Sequence, residues 1–276
     1  MSSLLINSLL INTFVRLCLE MAIFANPGLR QRITRDQVEN DRELVELMDS
    51  QRVVRWIGEK RHLIAYPISN NTIYSISATQ PDVTFAAGPS ETYTTKGLKP
   101  AMLSVFADFC PKIQRLLNLV PDGEVCEWKL RVHALLPTWI HGSVALVGDA
   151  CHPTLPHLVQ GGAQAIENAE VLVWFGKLPD FSAETINKTL RVYEKMRKGR
   201  AEMLVDWAAA SSRDLHLGNG AAKEKRDWQF EALTEGGGKA ARVPDNWADA
   251  DAQRIVYGVD VVKIAREPFE NILASA

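Results

Sequence analysis

Several absences narrow what this chain does. Neither sign of charge is in excess: 31 Lys and Arg against 33 Asp and Glu leave a net charge of −2, which gives no reason to expect nucleic acid or an anionic membrane as a partner. Cysteine is scarce, and Cys18, Cys110, Cys126 and Cys151 show neither metal-ligand spacing nor a disulfide framework. That usage fits packing residues in a reducing, cytoplasmic setting. No long uncharged hydrophobic run is present either. The apolar N-terminal stretch has no basic region before it, carries Asn7 and Asn12, and is interrupted by Arg16 and Glu20. It reads as an amphipathic helix, or as sequence standing in place of a lost segment, and not as a membrane anchor. No Gly-x-Ser-x-Gly elbow or carboxylate pair points to a hydrolase. There is also no strand, Gly-x-Gly-x-x-Gly turn and helix of the kind that cradles a dinucleotide. The nearest match, Gly236-Gly-Gly-Lys-Ala-Ala241, follows Thr234-Glu235 and precedes Pro244, and reads as a loop.

What is present centres on Gly148-Asp-Ala-Cys-His-Pro-Thr-Leu-Pro156 and the Gln160-Gly-Gly-Ala-Gln-Ala-Ile-Glu167 that follows. The β-branched run Val144–Val147 before it predicts a fully buried strand. Pro153 and Pro156 fix their own φ angles and extend their predecessors, so residues 149–160 should form a stiff loop. From Gly161 to about Gly176 the composition predicts a helix. Its first amides have no intrahelical partner, and Gly161 and Gly162 carry no side chain to keep an electron-rich ligand away from them.

These residues resemble the second flavin motif of the FAD-dependent aromatic hydroxylases of salicylate hydroxylase type, roughly Gly-Asp-Ala-x-His-Pro, a further Pro, then Gln-Gly-x-x-x-Ala-x-Glu. The resemblance runs from about Arg55 to about Asp260 and includes Leu136–Gly142 and Ile255–Asp260. It implies that Gly148 and Asp149 lie at the ribityl chain of FAD, with Asp149 bonding its hydroxyls. Pro156 would lie beside the reactive edge of the ring, and the amides of Gly161, Gly162 and Ala163 would face its pyrimidine carbonyls. It further implies NAD(P)H as reductant, dioxygen as co-substrate and a small aromatic or polyketide-like molecule as the ring hydroxylated, with no side chain needed as nucleophile. The sequence departs from the family at Asn168, where Asp is usual, and at Val132, where an acidic residue is expected. The family's Asp-Gly motif in a basic stretch is missing as well: Asp122-Gly123 reads as an ordinary turn.

The chain therefore reads as the C-terminal part of such a hydroxylase. Its fold class is α+β: an antiparallel substrate-domain sheet, a flavin-motif strand-turn-helix, long C-terminal helices, and an incomplete FAD- and NAD(P)-binding fold. Expected divisions are an N-terminal helical segment over 1–50, a substrate-domain sheet with helices over 51–140, the flavin motif over 141–180 and a helical region over 181–276. Residues 26–50 read as a polar helix. Alternating runs at Val53–Ile57, His62–Pro67 and Thr72–Ser77 predict strands, and Trp56, His62, Tyr66 and Tyr74 become the candidates for substrate contact. Leu98–Leu119 reads as helical with a break at Pro111, Val125–Leu136 as a strand and Ala183–Ser211 as a long helix. The basic residues of that helix, Lys195, Arg197, Lys198 and Arg200, read as a solvated face. Leu215–Asn246 reads as loosely ordered. Asp149, Cys151, His152 and His157 could be taken for a metal site, but their spacing fits no regular zinc pattern, and His152 reads as a brace for the turn. No metal is expected. An alternative to catalysis is a non-catalytic fragment that keeps the fold and binds a partner chain, either a second copy or a complementing FAD-binding half.

Overall fold

The computed structural model describes residues 21–25, 33–81, 94–130, 132–178, 180–234, 243–246 and 249–274. The Gly236 loop and most of the apolar N-terminal stretch lie outside the described residues. The rest is a mixture of helix and sheet that divides into two compact units, Leu19–Leu130 with His216–Lys223, and Arg131–Leu215 with Glu224–Ala276.

The first unit is built on an antiparallel sheet. Its strands are β1 (Met21–Ala25), β2 (Ile33–Thr34), β3 (Val54–Gly58), β4 (Arg61–Ile68), β5 (Ile73–Pro81), β6 (Thr94–Lys96) and β7 (Cys126–Lys129), in the order β3-β4-β5-β1-β7-β6 with β2 beside β5. The three alternating runs form β3, β4 and β5 as expected. The β4–β5 turn places Ser69, Asn70 and Asn71 in succession at φ 51°, 55° and 61°, a conformation that asparagine tolerates better than most side chains. Gly58 ends β3 where a Cβ would stand 2.9 Å from the Phe109 ring, so only glycine permits that approach.

Two readings are corrected here. Met21–Ala25 is a strand, not part of a helix, because β5 and β7 both pair with it: Ile23 lies opposite Thr79 on one side and Trp128 on the other. Over 33–50 the single polar helix is two short ones, α1 (Arg35–Val38) and α2 (Arg42–Asp49), separated where Asp41 caps the second by accepting from the amides of Glu43 and Leu44. Their inward residues Val38, Leu44 and Met48 are buried. α3 (Lys99–Val105) and α4 (Pro111–Asn118) follow, with the break at Pro111. These helices bring Met102, Phe106, Ile113, Leu116 and Leu117 into one cluster with Leu63, Ala65, Tyr74 and Ala78 of the sheet. The strand expected over Val125–Leu136 is regular only over Cys126–Lys129.

The second unit contains a small hairpin of β8 (Ile140–His141) and β9 (Val144–Ala145), then α5 (Gly161–Leu172), α6 (Ala183–Leu215), α8 (Ala250–Tyr257) and α9 (Val261–Ala274). Between α6 and α8 lies α7 (Ala221–Thr234), so the segment read as loosely ordered contains a helix of nearly four turns. The buried strand expected over Val144–Val147 is also corrected. Only Val144–Ala145 is regular, β8 is its one partner among the described residues, and Val144 and Val147 are exposed. A strand is buried when neighbours flank it on both edges and both faces, and this one is flanked on one edge. The core of the unit joins Trp139 and Ile140 to Cys151, Val171, Leu190, Tyr193, Ala265 and Phe269.

Candidate functional site: a rigid turn at the start of a helix

The turn after β9 is rigid because its own backbone closes it. Gly148, at φ +62°, opens a 3-10 turn over Gly148–Ala150, and its carbonyl accepts from the amides of Cys151 and His152, each at 3.0 Å. The Cys151 thiol donates to the same oxygen at 3.3 Å, and burial pushes that thiol up to about 12. A second 3-10 turn, Pro156–Leu158, ends at Val159, whose left-handed φ of 55° delivers the chain to α5.

Side chains then tie the turn to two helices. His152, buried, lies with Nε2 2.7 Å from Asn168 Oδ1 on α5; Asn168 Nδ2 donates to the Tyr193 hydroxyl on α6 at 2.6 Å; and that hydroxyl donates to the Leu146 carbonyl at 2.9 Å. His152 is therefore a brace, as its sequence context indicates. Burial pushes the Tyr193 phenol well above its ordinary range.

This frame holds the start of α5 open. No side chain caps the helix, and its first internal bond is from the Gln164 amide to the Gln160 carbonyl, which leaves the amides of Gly161, Gly162 and Ala163 ahead of it. A Cβ at Gly162 would meet nothing within 4 Å, whereas one at Gly161 would lie 3.3 Å from Thr154 Cγ2 and 4.0 Å from Asp149 Oδ1. The exposed Asp149 carboxylate thus stands beside the helix N-terminus, and Pro156, also exposed, lies on the same turn. Gly148 is buried under Ala165. The six residues singled out in the sequence thus belong to one strand-turn-helix. The turn thus offers amide donors at the helix start and, beside them, an exposed carboxylate able to accept hydrogen bonds.

Behind α5 is a charge cluster that periodicity misread. Arg197 is 2% exposed, and Arg200 is nearly buried too. Arg197 Nη1 lies 2.7 Å from Glu167 Oε2, and Nη2 donates to Gln164 Oε1 at 2.5 Å. Arg200 holds both Glu167 oxygens, at 2.9 and 3.0 Å, and donates to the carbonyls of Ile255 and Val256. Arg197, buried, and Arg200, largely covered, are thus partners of Glu167 and not a solvated face. Burial alone raises the Glu167 carboxyl, but Arg200 and Arg197 outweigh it and hold the group below its ordinary 4.5. Because the folded value is the lower one, this stabilisation is complete above about pH 4.5 and is lost as pH falls through the folded value. Urea unfolding between pH 7 and 3 should show a midpoint that drops on the acid side of 4.5, and in Glu167→Gln that contribution to the drop should disappear.

The four candidates for substrate contact do not converge. β4 register pairs Leu63 with Trp56 and with Ala78, and His62 with Thr79. Trp56 and Tyr74 therefore lie on the helix-covered face, where Tyr74 is buried and its hydroxyl pushed up to about 12 by burial. His62 and Tyr66 lie on the opposite face, His62 buried and Tyr66 exposed. His62 Nδ1 is 2.7 Å from His216 Nε2, with the rings stacked at 4.9 Å, and Thr79 Oγ1 is 3.5 Å from His62 Nε2. A bond between two ring nitrogens needs one of them unprotonated, so the pair carries at most one charge. Sequence reasoning missed His216, 154 positions away from its partner, because no local pattern marks it.

Comparisons with known proteins bear on the family and the fold. No family model matches the chain. It is 33% identical over 214 residues to FAD-dependent monooxygenase atnJ of Arthrinium sp, covering 78% of this chain and 49% of that protein. It is 32% identical over 151 residues to 3-hydroxybenzoate 6-hydroxylase 2 of Aquipseudomonas alcaligenes, covering 54% of this chain and 44% of the relative. A solved salicylate hydroxylase substrate complex matches in fold with a TM-score of 0.70 at 21% identity, over 93% of this chain and 60% of that one. The chain spans about half the length of the curated relatives it matches.

Proposed function

The chain belongs with the FAD-dependent monooxygenases, and on that footing we propose that it forms the flavin-ring side and the substrate side of an enzyme that hydroxylates a small aromatic or polyketide-like molecule. The observation that carries the proposal is the uncapped start of α5 with Asp149 beside it. Flavin fits those groups: the amides of Gly161, Gly162 and Ala163 suit the carbonyl edge of the ring, Asp149 suits ribityl hydroxyls, and Gly148 and Pro156 shape the turn between them. When bound, FAD supplies the redox chemistry, taking electrons from NAD(P)H and passing one oxygen atom of dioxygen to the substrate. The protein's part is to orient the ring, favour negative charge along its edge and exclude water. His62 and Tyr66, on the sheet face away from the helices, are the proposed substrate contacts, while Trp56 and Tyr74 shape that sheet from its core side. Cys110, Cys126 and Cys151 are free thiols, in keeping with a cytoplasmic setting, and no described helix is long and apolar enough to cross a membrane.

A second reading is favoured by exposed apolar residues around the same motif. Ile166 and Val173 lie two turns apart on one face of α5 and its 3-10 extension, and Val144, Val147 and Val159 are also exposed. They suit a chain that works only when a complementing FAD-binding half covers them. The experiment is to incubate the purified chain with FAD, remove free flavin and record the visible spectrum, then add NADH or NADPH with and without candidate aromatic acids. Retained flavin whose NAD(P)H oxidation rises with the acid supports the enzyme reading. Flavin retained only after addition of a separately expressed dinucleotide-binding half supports the second. No flavin in either case overturns both.

A further inference from the structure

We propose that Asn168 is a positioning residue whose neutral amide fixes the protonated nitrogen of His152 and thereby preforms the turn that carries Asp149 and Pro156; the inference rests on the flavin reading of that turn. The direction of every bond in the brace follows from one carbonyl. The Leu146 oxygen can only accept, so the single hydroxyl proton of Tyr193, 2.9 Å away, points to it. The Tyr193 oxygen must then accept from Asn168, 2.6 Å away, which turns Nδ2 toward the phenol. Oδ1 is left facing His152 at 2.7 Å, so His152 Nε2 carries the proton.

Only a side chain with one donor and one acceptor completes this sequence without charge. Asn168 and Tyr193 are fully buried and His152 is 1% exposed, so a mismatch in the chain of bonds would go unrelieved by solvent. An aspartate at 168 has no donor. Tyr193 would have to turn its proton from Leu146 to the carboxylate, freeing the end of the strand, and the buried anion would favour the imidazolium form of His152. The surrounding groups are Cys151 and Asp149 on the turn, Glu167 on α5, Arg197 on α6 and the Trp139 ring, 5.5 Å from His152. With an amide at 168 the chain builds the brace without a carboxylate.

The tautomer arm of the test needs no flavin. Nitrogen-15 NMR of the histidine-labelled full chain should show the Nε2 of His152 protonated and hydrogen-bonded. Asn168→Asp, which has no amide donor for Tyr193, should weaken riboflavin binding at least fivefold. Tyr193→Phe removes the acceptor that orients the amide, and the Nε2 proton of His152 should then no longer be held in place. Wild-type His152 protonated at Nδ1 and not at Nε2 overturns the inference whether or not either variant folds; so does a folded Asn168→Asp chain that binds riboflavin as tightly as a wild-type chain that binds it. Failure of the flavin reading is seen separately, as absence of riboflavin binding by a wild-type chain whose His152 tautomer is as stated.

Discussion

Replacing Glu167 with Ala should cost about 3–5 kcal/mol of unfolding free energy, the penalty typical of removing one partner from a buried ion pair. The substitution leaves the Arg197 guanidinium, 2% exposed, with no anion and with Gln164 Oε1 as its remaining acceptor in the cluster. Arg200 loses its carboxylate but keeps the carbonyls of Ile255 and Val256. The loss should therefore come chiefly from Arg197 and should appear as a lowered urea midpoint with an unchanged slope. Glu167→Gln retains an acceptor and should cost less. Arg197→Met, which removes the stranded charge and fills similar space, should largely offset Glu167→Ala when the two are combined. A cost under 1 kcal/mol for Glu167→Ala would mean that water reaches Arg197 and that the cluster does not bind α5 to α6.

The second large effect separates stability from binding. Gly162→Ala adds a methyl group where nothing lies within 4 Å, in the first turn of a helix where alanine is favoured over glycine. Stability should stay level or rise by up to about 1 kcal/mol. If the open space is a ligand seat, the same methyl group stands over the amides, and flavin affinity should fall at least tenfold, or about 1.4 kcal/mol. Gly161→Ala should instead disturb the turn itself, since its Cβ would press on Thr154 at 3.3 Å. Fluorescence titration with flavin and thermal unfolding on the same preparations distinguish the two outcomes.

The parts of the molecule legible in the sequence are those whose causes are local. The prolines and glycines between Gly148 and Gly162 determine a stiff turn and an uncapped helix wherever they occur, and the structure has both. Alternation located β3, β4 and β5, and Pro111 located the break between α3 and α4. What escaped depends on distant partners. Met21–Ala25 is a strand because β5 and β7 accept it between them, and nothing in its own five residues requires that. Arg197 and Arg200 sit opposite an apolar stripe, which locally means solvent, but Glu167 lies across from them on another helix. Within β4, parity alone puts His62 and Tyr66 on one face. Whether Trp56 and Tyr74 join them depends on the register of three strands, which turn geometry sets.

Riboflavin tests most directly whether the start of α5 is a flavin seat, because it presents the ring and ribityl chain without phosphate or adenosine. Titrating riboflavin into the purified wild-type chain should quench its fluorescence saturably, with Asp149→Ala and Gly162→Ala each weakening the interaction without lowering the unfolding midpoint. Wild-type chain that leaves riboflavin emission unchanged, or binding that neither substitution alters, would contradict that reading.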